Sequence, residues 1–454
     1  MAMRPRTFAV ALLVAPALAL AQRTYIEVGS PNFQPLPIAV PLFRSETGAE
    51  SASAELTRVL RNDLALSGIF DVLDPKGFLA DPGEGLSADQ ISFHRWIDVG
   101  AEALVKAKVR SRPDQTTSEF HLFETRASRE ALFQVYEAPP GSTRQLAHHF
   151  ADDIVQYYTR EPGIFRTHIL AVRKLPRGRE LVAYDVDGQH SEVLYRDPDI
   201  VLLPTWRPDG QALLFTSYRG DRPSLWTLDL ATRKARQLFD FGDLTTGGVY
   251  SPDGRLIAFT ASVNGNSDIW VANADGSGPH RLTTDPAIDG SPSWSPDGKR
   301  ICFVSNRSGN PHLYLMNADG SSQRRLTFQG NYNQAPRWSP RGDLIVFTAR
   351  DERKVFDVFT VSPETGTIQR VTQDQGRTNE EATWAPNGRL LVFTSDRKGR
   401  PQMVISTVNG ERQVMVTHEN AGLSTPAWGP IMVSGQKSAH LTSESGAQGP
   451  AKPE

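Results

Sequence analysis

Two pairs of adjacent residues in this chain are of types that do chemistry. Glu380 and Glu381 offer two carboxylates for acid–base work, and His148 and His149 offer two imidazoles for a metal or a proton. Neighbouring carboxylates in a loop read more simply as solvated charges or partner contacts. Adjacent helix positions do not face each other, so the histidines make a poor metal pair and read as partly buried structural residues. Strings that mark stronger chemistry are missing from the sequence: there is no G-x-S-x-G turn, no H-E-x-x-H and no cluster of Cys with His. The acids of "NADGSG" lack the spacing and distal Glu of a calcium loop and read as a hairpin. The single cysteine, Cys302, lies in the alternating run "RICFVS" and reads as a small core residue, so no internal disulfide forms. The expectation is a chain with no catalytic residue, no metal and no cofactor.

The elements around these residues repeat. Trp206, Tyr250, Trp294, Trp338, Trp384 and Trp428 are spaced 44, 44, 44, 46 and 44 apart, and "SPDG"-type turns follow the first five of them. Ser, Pro and Gly at the first, second and fourth turn positions favour a type I turn, and the second turn, "NADG", is a DG hairpin. Each unit reads as four short strands, which predicts a propeller with one sheet per blade. The sixth unit has only "AWGP" left after its strand, while "THILAVRK", "ELVAYDVD" and "SEVLYRD" between Thr167 and Asp197 lack an innermost strand. One composite blade solves both problems and removes open sheet edges. Strand direction puts both stereotyped turns of each unit on one face. The B–C loops and the divergent D–A loops share the other, which is the candidate binding face.

The rest of the chain reads as follows. Arg4 and Arg6, the apolar run Phe8 to Leu20, and small residues at Ala19 and Ala21 form an export signal over residues 1–21, cleaved between Ala21 and Gln22. From the residues alone, 22–33 read as a flexible N-terminal segment and 34–160 as a small α/β domain. The propeller spans 161–430, and 431–454 is a polar, disordered tail. Within the α/β domain, "LPIAVPLF" and "GIFDVL" are strands and Ser51 to Leu66 a helix. "SADQISFHRWIDVG" is a short helix, three further strands follow, and a helix runs from Arg144 to Tyr158. A net charge of -2 argues against a nucleic-acid partner. The residues alone leave open a secreted propeller hydrolase or a glycan-binding module as a second reading.

The order "IAVPLF", "LRNDLALSGIFDVLD", "RQLAHHFADDIVQYYTREPGIFRTHILAV" and then WSPDG-type blades resembles the TolB family, the periplasmic component of the Tol–Pal envelope system. "WSPDG" is shared by many propellers; the run from "AHHFADDI" into "GIFRTHI" is far more specific. The resemblance implies a non-enzymatic, monomeric, periplasmic scaffold for cell-envelope integrity and division, peripheral to the outer membrane through its partners. It implies a Pal-like lipoprotein on the propeller and a TolA-like inner-membrane protein on the mature N-terminus. By position, Tyr25, Ile26, Glu27 and Val28 correspond to the TolA-binding segment, in a strand-like run suited to adding a strand to a partner sheet. Asp289, Asn333, Gln334, Asn379, Glu380 and Arg307 are the expected contacts for Pal.

Overall fold

The computed structural model describes residues 33–81, 83–220, 222–239, 241–350 and 354–431. The export signal, all of Gln22 to Phe33 except Phe33, and residues 432–454 lie outside these residues.

The front domain is one mixed sheet under two long helices. Its strands are β1 (Leu36–Ala39), β2 (Arg44–Ser45), β3 (Phe70–Val72), β4 (Ala103–Ser111), β5 (Thr116–Glu124) and β6 (Arg129–Ala138), ordered β3-β1-β4-β5-β6 with β2 also on β4. Helix α1 (Glu50–Leu66) follows the apolar spacing: Leu56, Val59, Leu60 and Leu64 are all fully buried. Ser67 ends it, its hydroxyl donating to Leu64 O at 2.5 Å and accepting from Ile69 N at 3.0 Å. A short helix α2 (Phe93–Asp98) packs Trp96 inside, and α3 (Thr143–Thr159) stops at Arg160, whose φ is +59°.

Six four-stranded sheets follow. Five are built from consecutive strands. The sixth joins the two ends of the array: Leu423–Trp428 pairs with β7 (His168–Lys174), followed by β8 (Arg179–Asp185) and β9 (Ser191–Asp197). The ring therefore closes through the composite blade. Second strands are the most apolar; Phe215, Phe259, Phe303, Phe347 and Phe393 occupy the same place in five of them and are almost completely buried. Cys302 sits beside Phe303, fully buried, and burial pushes its thiol far above the ordinary range. In the "SPDG" turn, Gly254 takes φ +70° and its N–H donates to Ser251 O at 2.8 Å, so the Gly is required there.

The front domain sits on the face of the stereotyped turns. One hydrophobic cluster runs from α1, α3 and the front sheet into the fifth and sixth blades, through Ile405, Val416, Tyr184 and Trp428. Ion pairs reinforce it. Glu161, just after α3, accepts from Arg341 at 3.1 Å and from Arg389 at 2.5 Å, both at turns between first and second strands. Among the described residues, no helix is long and apolar enough to cross a membrane.

Candidate partner face and central channel

The face opposite the front domain carries the B–C and D–A loops. Among the described residues, four large apolar side chains of the propeller are exposed: Ile200, Tyr218, Ile288 and Phe328, the last at 72 %. All four lie in those loops. The turn face, covered by the front domain, has none among the described residues.

The innermost strands wall a central channel that leads in from this face. They are Val201–Trp206, Leu244–Tyr250, Asp289–Trp294, Asn333–Trp338, Asn379–Trp384 and Leu423–Trp428. Each carries a bulge at the same place. Its first residue has a left-handed backbone: Leu203, Gly247, Ser291, Ala335, Glu381 and Thr425, with φ between +47° and +65°. Only one of the six is a glycine, so strain is accepted at five places around one ring. Threonines help to hold it. Thr216, Thr260 and Thr348 accept from the N–H groups of Gly247, Ser291 and Glu381 in the next blade, at 3.0–3.2 Å. The N–H of Thr425 instead donates to Glu381 Oε2 at 2.5 Å.

The channel holds a cavity of about 190 Å³ lined by Gln334, Arg337, Glu380, Glu381 and small residues of the first, third and sixth blades. Burial raises the Glu380 carboxyl to about 7, helped by the charges of Glu381 and Asp396. Burial also raises Glu381, against the Thr425 N–H and Arg337. Arg337 is enclosed, and burial lowers it against the charge of Glu381. The pair Glu380–Glu381 is therefore a channel feature, not a solvated loop. Glu381 is anchored by Thr425, and Glu380 stands on the wall with a carboxyl that changes charge near neutral pH.

The six residues expected to contact a partner fall into two groups. Asp289, Asn333 and Asn379 are the first residues of three innermost strands and are 0–1 % exposed. They lie on the expected face, yet they brace it from within. Asn333 Nδ2 donates to Thr327 Oγ1 at 3.0 Å and to Gln329 O at 3.1 Å, and Asn379 Nδ2 donates to Asp357 Oδ1 at 3.0 Å and to Gln375 O at 2.9 Å. Asp289 pairs with Arg307, whose Nη2 donates to Oδ2 at 2.7 Å, so the structure brings two of the six together. Arg307 also stacks on Phe303 and Tyr314, with only 18 % of its side chain exposed. Asp289, Asn333 and Asn379 are buried and Arg307 is mostly so, and each makes hydrogen bonds within its own loops. Gln334 and Glu380 are partly exposed along the channel. The apolar rim and the six-fold ring of bulges were not anticipated. The recurrence of Asp or Asn five residues before Trp, at 289, 333 and 379, is the signal for a structural role. A proline one residue after the bulge, at Pro204, Pro292, Pro336 and Pro426, is the signal for the ring. Tyr25, Ile26, Glu27 and Val28, and the cleavage site Ala21–Gln22, lie outside the described residues.

Known proteins similar to this chain agree with this architecture. Residues 155–432 match the family profile described as the TolB beta propeller domain, and residues 24–131 match the TolB amino-terminal domain. The chain is 57% identical over 423 residues to a Tol-Pal system protein TolB of Anaeromyxobacter dehalogenans, covering 93% of this chain and 97% of that one. It is 47% identical over 213 residues to the Tol-Pal system protein TolB of Myxococcus xanthus, covering 47% of this chain and 49% of that one. The crystal structure of TolB from Acinetobacter baumannii superposes with a TM-score of 0.78 at 26% identity, over 88% of this chain and 97% of that one.

Proposed function

The chain belongs to the TolB family, and from that premise we propose which surfaces serve its partners in the Tol-Pal system. TolB is a non-enzymatic periplasmic component of that system, so the surfaces that matter are docking surfaces, and a hydrolase or glycan-binding reading is not favoured. We assign the free loop face to a Pal-like peptidoglycan-associated lipoprotein. The observation that carries this reading is the gathering of Ile200, Tyr218, Ile288 and Phe328 on that face, around a channel with Glu380 on its wall. Exposed apolar side chains grouped on one side of a soluble domain mark an interaction site, and aromatic anchors carry a large share of interface energy. Asp289, Asn333, Asn379 and Arg307 hold the loops in shape, and Gln334 and Glu380 are offered to the partner.

A TolA-like partner takes the mature N-terminus, Gln22 to Phe33, with Tyr25, Ile26, Glu27 and Val28 added as a strand to its sheet. In this reading the protein is a monomeric scaffold, held at the outer membrane through its partners, that supports envelope integrity and division. Cleavage before Gln22 releases the mature chain.

Calorimetric titration with the soluble domain of a Pal-like lipoprotein tests the main assignment. Phe328→Ser should weaken binding at least tenfold with little change in melting temperature, and Glu380→Arg should weaken it in protein that circular dichroism shows to be folded. Asp275→Ala and Asp319→Ala, in exposed turns on the other face, should leave binding unchanged. Unchanged affinity in the first pair, or a loss in the second, overturns the assignment. Deleting Gln22 to Phe33 should abolish binding of the TolA-like partner and spare that of the lipoprotein; retained TolA binding removes the segment from the mechanism.

A further inference from the structure

The junction between the front domain and the sixth blade holds a cluster of ionisable groups that neither partner surface uses. Asp63 stands on α1, Arg144 and His148 on α3, Asp185 ends β8, and Asp187 lies in the turn that follows. Asp63 is completely buried, and its Oδ2 lies 2.7 Å from Nδ1 of His148. Beside an ionised carboxylate that nitrogen carries the proton. The other ring nitrogen, Nε2, is buried without a hydrogen-bond partner and faces Asp185 Oδ2 across 4.0 Å, from one domain to the other. Next to it, Arg144 Nη2 donates to both oxygens of Asp187 at 2.6 Å, and Arg144 Nε lies 3.7 Å from Asp185 Oδ2.

We propose that Asp63, His148 and Asp185, beside the fixed Arg144–Asp187 pair, form a proton-dependent clamp that sets how firmly the front domain is held on the propeller. A neutral His148 turns the Nε2 lone pair toward the Asp185 carboxylate. A protonated His148 turns an N–H toward it, and a gap between domains becomes a charge-assisted hydrogen bond. One proton thus links α1, α3 and the sixth blade. Ligand-type atoms of His148, Asp185 and Asp187 lie within 4.8 Å of one another, as in a metal site. Arg144 already supplies the cation at Asp187, however, and a metal ion would sit against its guanidinium. The cation that this cluster can gain or lose is the proton.

The surrounding charges favour the same event. Burial opposes the imidazolium, but Asp63, Asp185 and Asp187 together lift His148 above its ordinary 6.5. Burial raises Asp63 to about 6. On α3, Asp152 is held by Phe165 N and Arg166 Nε, and burial lowers the neighbouring His149. On the propeller side, His168 Nε2 lies 3.5 Å and His190 Nδ1 3.9 Å from Asp185 Oδ1. Burial lowers His168, against the charges of Asp185 and Glu192. A histidine raised in the folded state contributes fully below its unfolded value, about 6.5, and loses that contribution as pH rises through the folded value. Below about pH 6 Asp63 takes up its own proton. The clamp therefore loosens as pH rises from about 6.5 through the folded value of His148.

Hydrogen exchange on the full mature chain tests this, comparing wild type with His148→Gln and Asp185→Asn at each pH from about 6 to 8.5. Comparing the same amides at the same pH cancels the intrinsic pH dependence of exchange. Wild-type α3 and the turn at 186–190 should lose protection relative to both variants as pH rises. The loss should reach about tenfold for each unit by which docking raises the His148 pKa. The proposal is overturned if wild type and His148→Gln change in parallel, or if wild type gains protection with pH. Should His148→Gln fail to fold, Asp185→Asn decides alone, since it keeps the Asp63–His148 pair and removes the carboxylate charge that faces Nε2.

Discussion

Replacing Trp428 with alanine should open the ring, and the size of the effect can be worked from its surroundings. Trp428 is 8 % exposed, and its indole Nε1 donates to Thr167 Oγ1 at 2.8 Å. Its main-chain N–H reaches Thr383 Oγ1 of the fifth blade at 3.3 Å, and its strand mate Ala427 accepts from the Trp206 indole of the first blade at 3.0 Å. The side chain thus sits where both neighbours and the front-domain linker meet. Truncating a buried Trp to Ala costs about 3–5 kcal/mol. With about 2–4 °C lost per kcal/mol in domains near this size, the melting temperature should fall by roughly 6–20 °C. Trp428→Phe keeps most of the volume and loses the hydrogen bond to Thr167, a cost of about 1 kcal/mol. Differential scanning calorimetry on the mature chain would read both. A chain cut before Ala439 retains the whole strand, loses only a largely polar tail and should melt with the wild type. If Trp428→Ala and this control melt together, the last strand does not hold the ring and the closure argument fails.

Other outcomes can be stated more briefly. The Glu380 carboxyl is raised from 4.5 to about 7 in the folded state, so the fold favours its protonated form and stability falls as pH climbs between those values. Glu380→Gln should flatten this slope and exceed wild type above pH 7 by on the order of 1–3 kcal/mol, less any screening by channel water; equal urea midpoints at pH 5 and 8 in both proteins refute it. Gly188 has φ +71°, and a Cβ there would lie 2.0 Å from Val416 O, whereas Gly100 at φ +84° has nothing within 4 Å. Gly188→Ala should therefore destabilise by more than the about 1–2 kcal/mol of left-handed strain expected for Gly100→Ala, as measured by urea unfolding. Cys302 is fully buried, so a thiol reagent should react with it only at the rate of unfolding, and prompt labelling of native protein would contradict its placement.

The repeat, the turn chemistry and the composite blade were legible because each is written locally: a Trp or Tyr every 44 or 46 residues, "SPDG", and three strands left over at the front with one at the back. That the B–C and D–A loops share one face was legible from strand direction alone. The burial of individual side chains was not. Asp289, Asn333 and Asn379 look like polar loop residues, and only their common position in the register sends their side chains inward. The left-handed ring was hidden because Leu203, Ser291, Ala335, Glu381 and Thr425 are not residues that announce positive φ. His148 was legible as structural, but its partners Asp63 and Asp185 come from another helix and another domain, which no local pattern links.

Joining the two ends of the array in one sheet also makes closure depend on the last strand. In chain order β7 precedes its partner strand Leu423–Trp428 by about 250 residues. Until that strand joins, β7 has an unpaired edge, and five blades can form without completing a circle. The pairing that closes the ring spans nearly the whole propeller sequence, a separation that carries a large loop-closure entropy. The final strand acts as a certificate of completeness. A chain that stops short of Trp428 keeps the frayed edge by which proteases and holdases recognise unfinished proteins, while a chain that reaches it has nothing left to offer them.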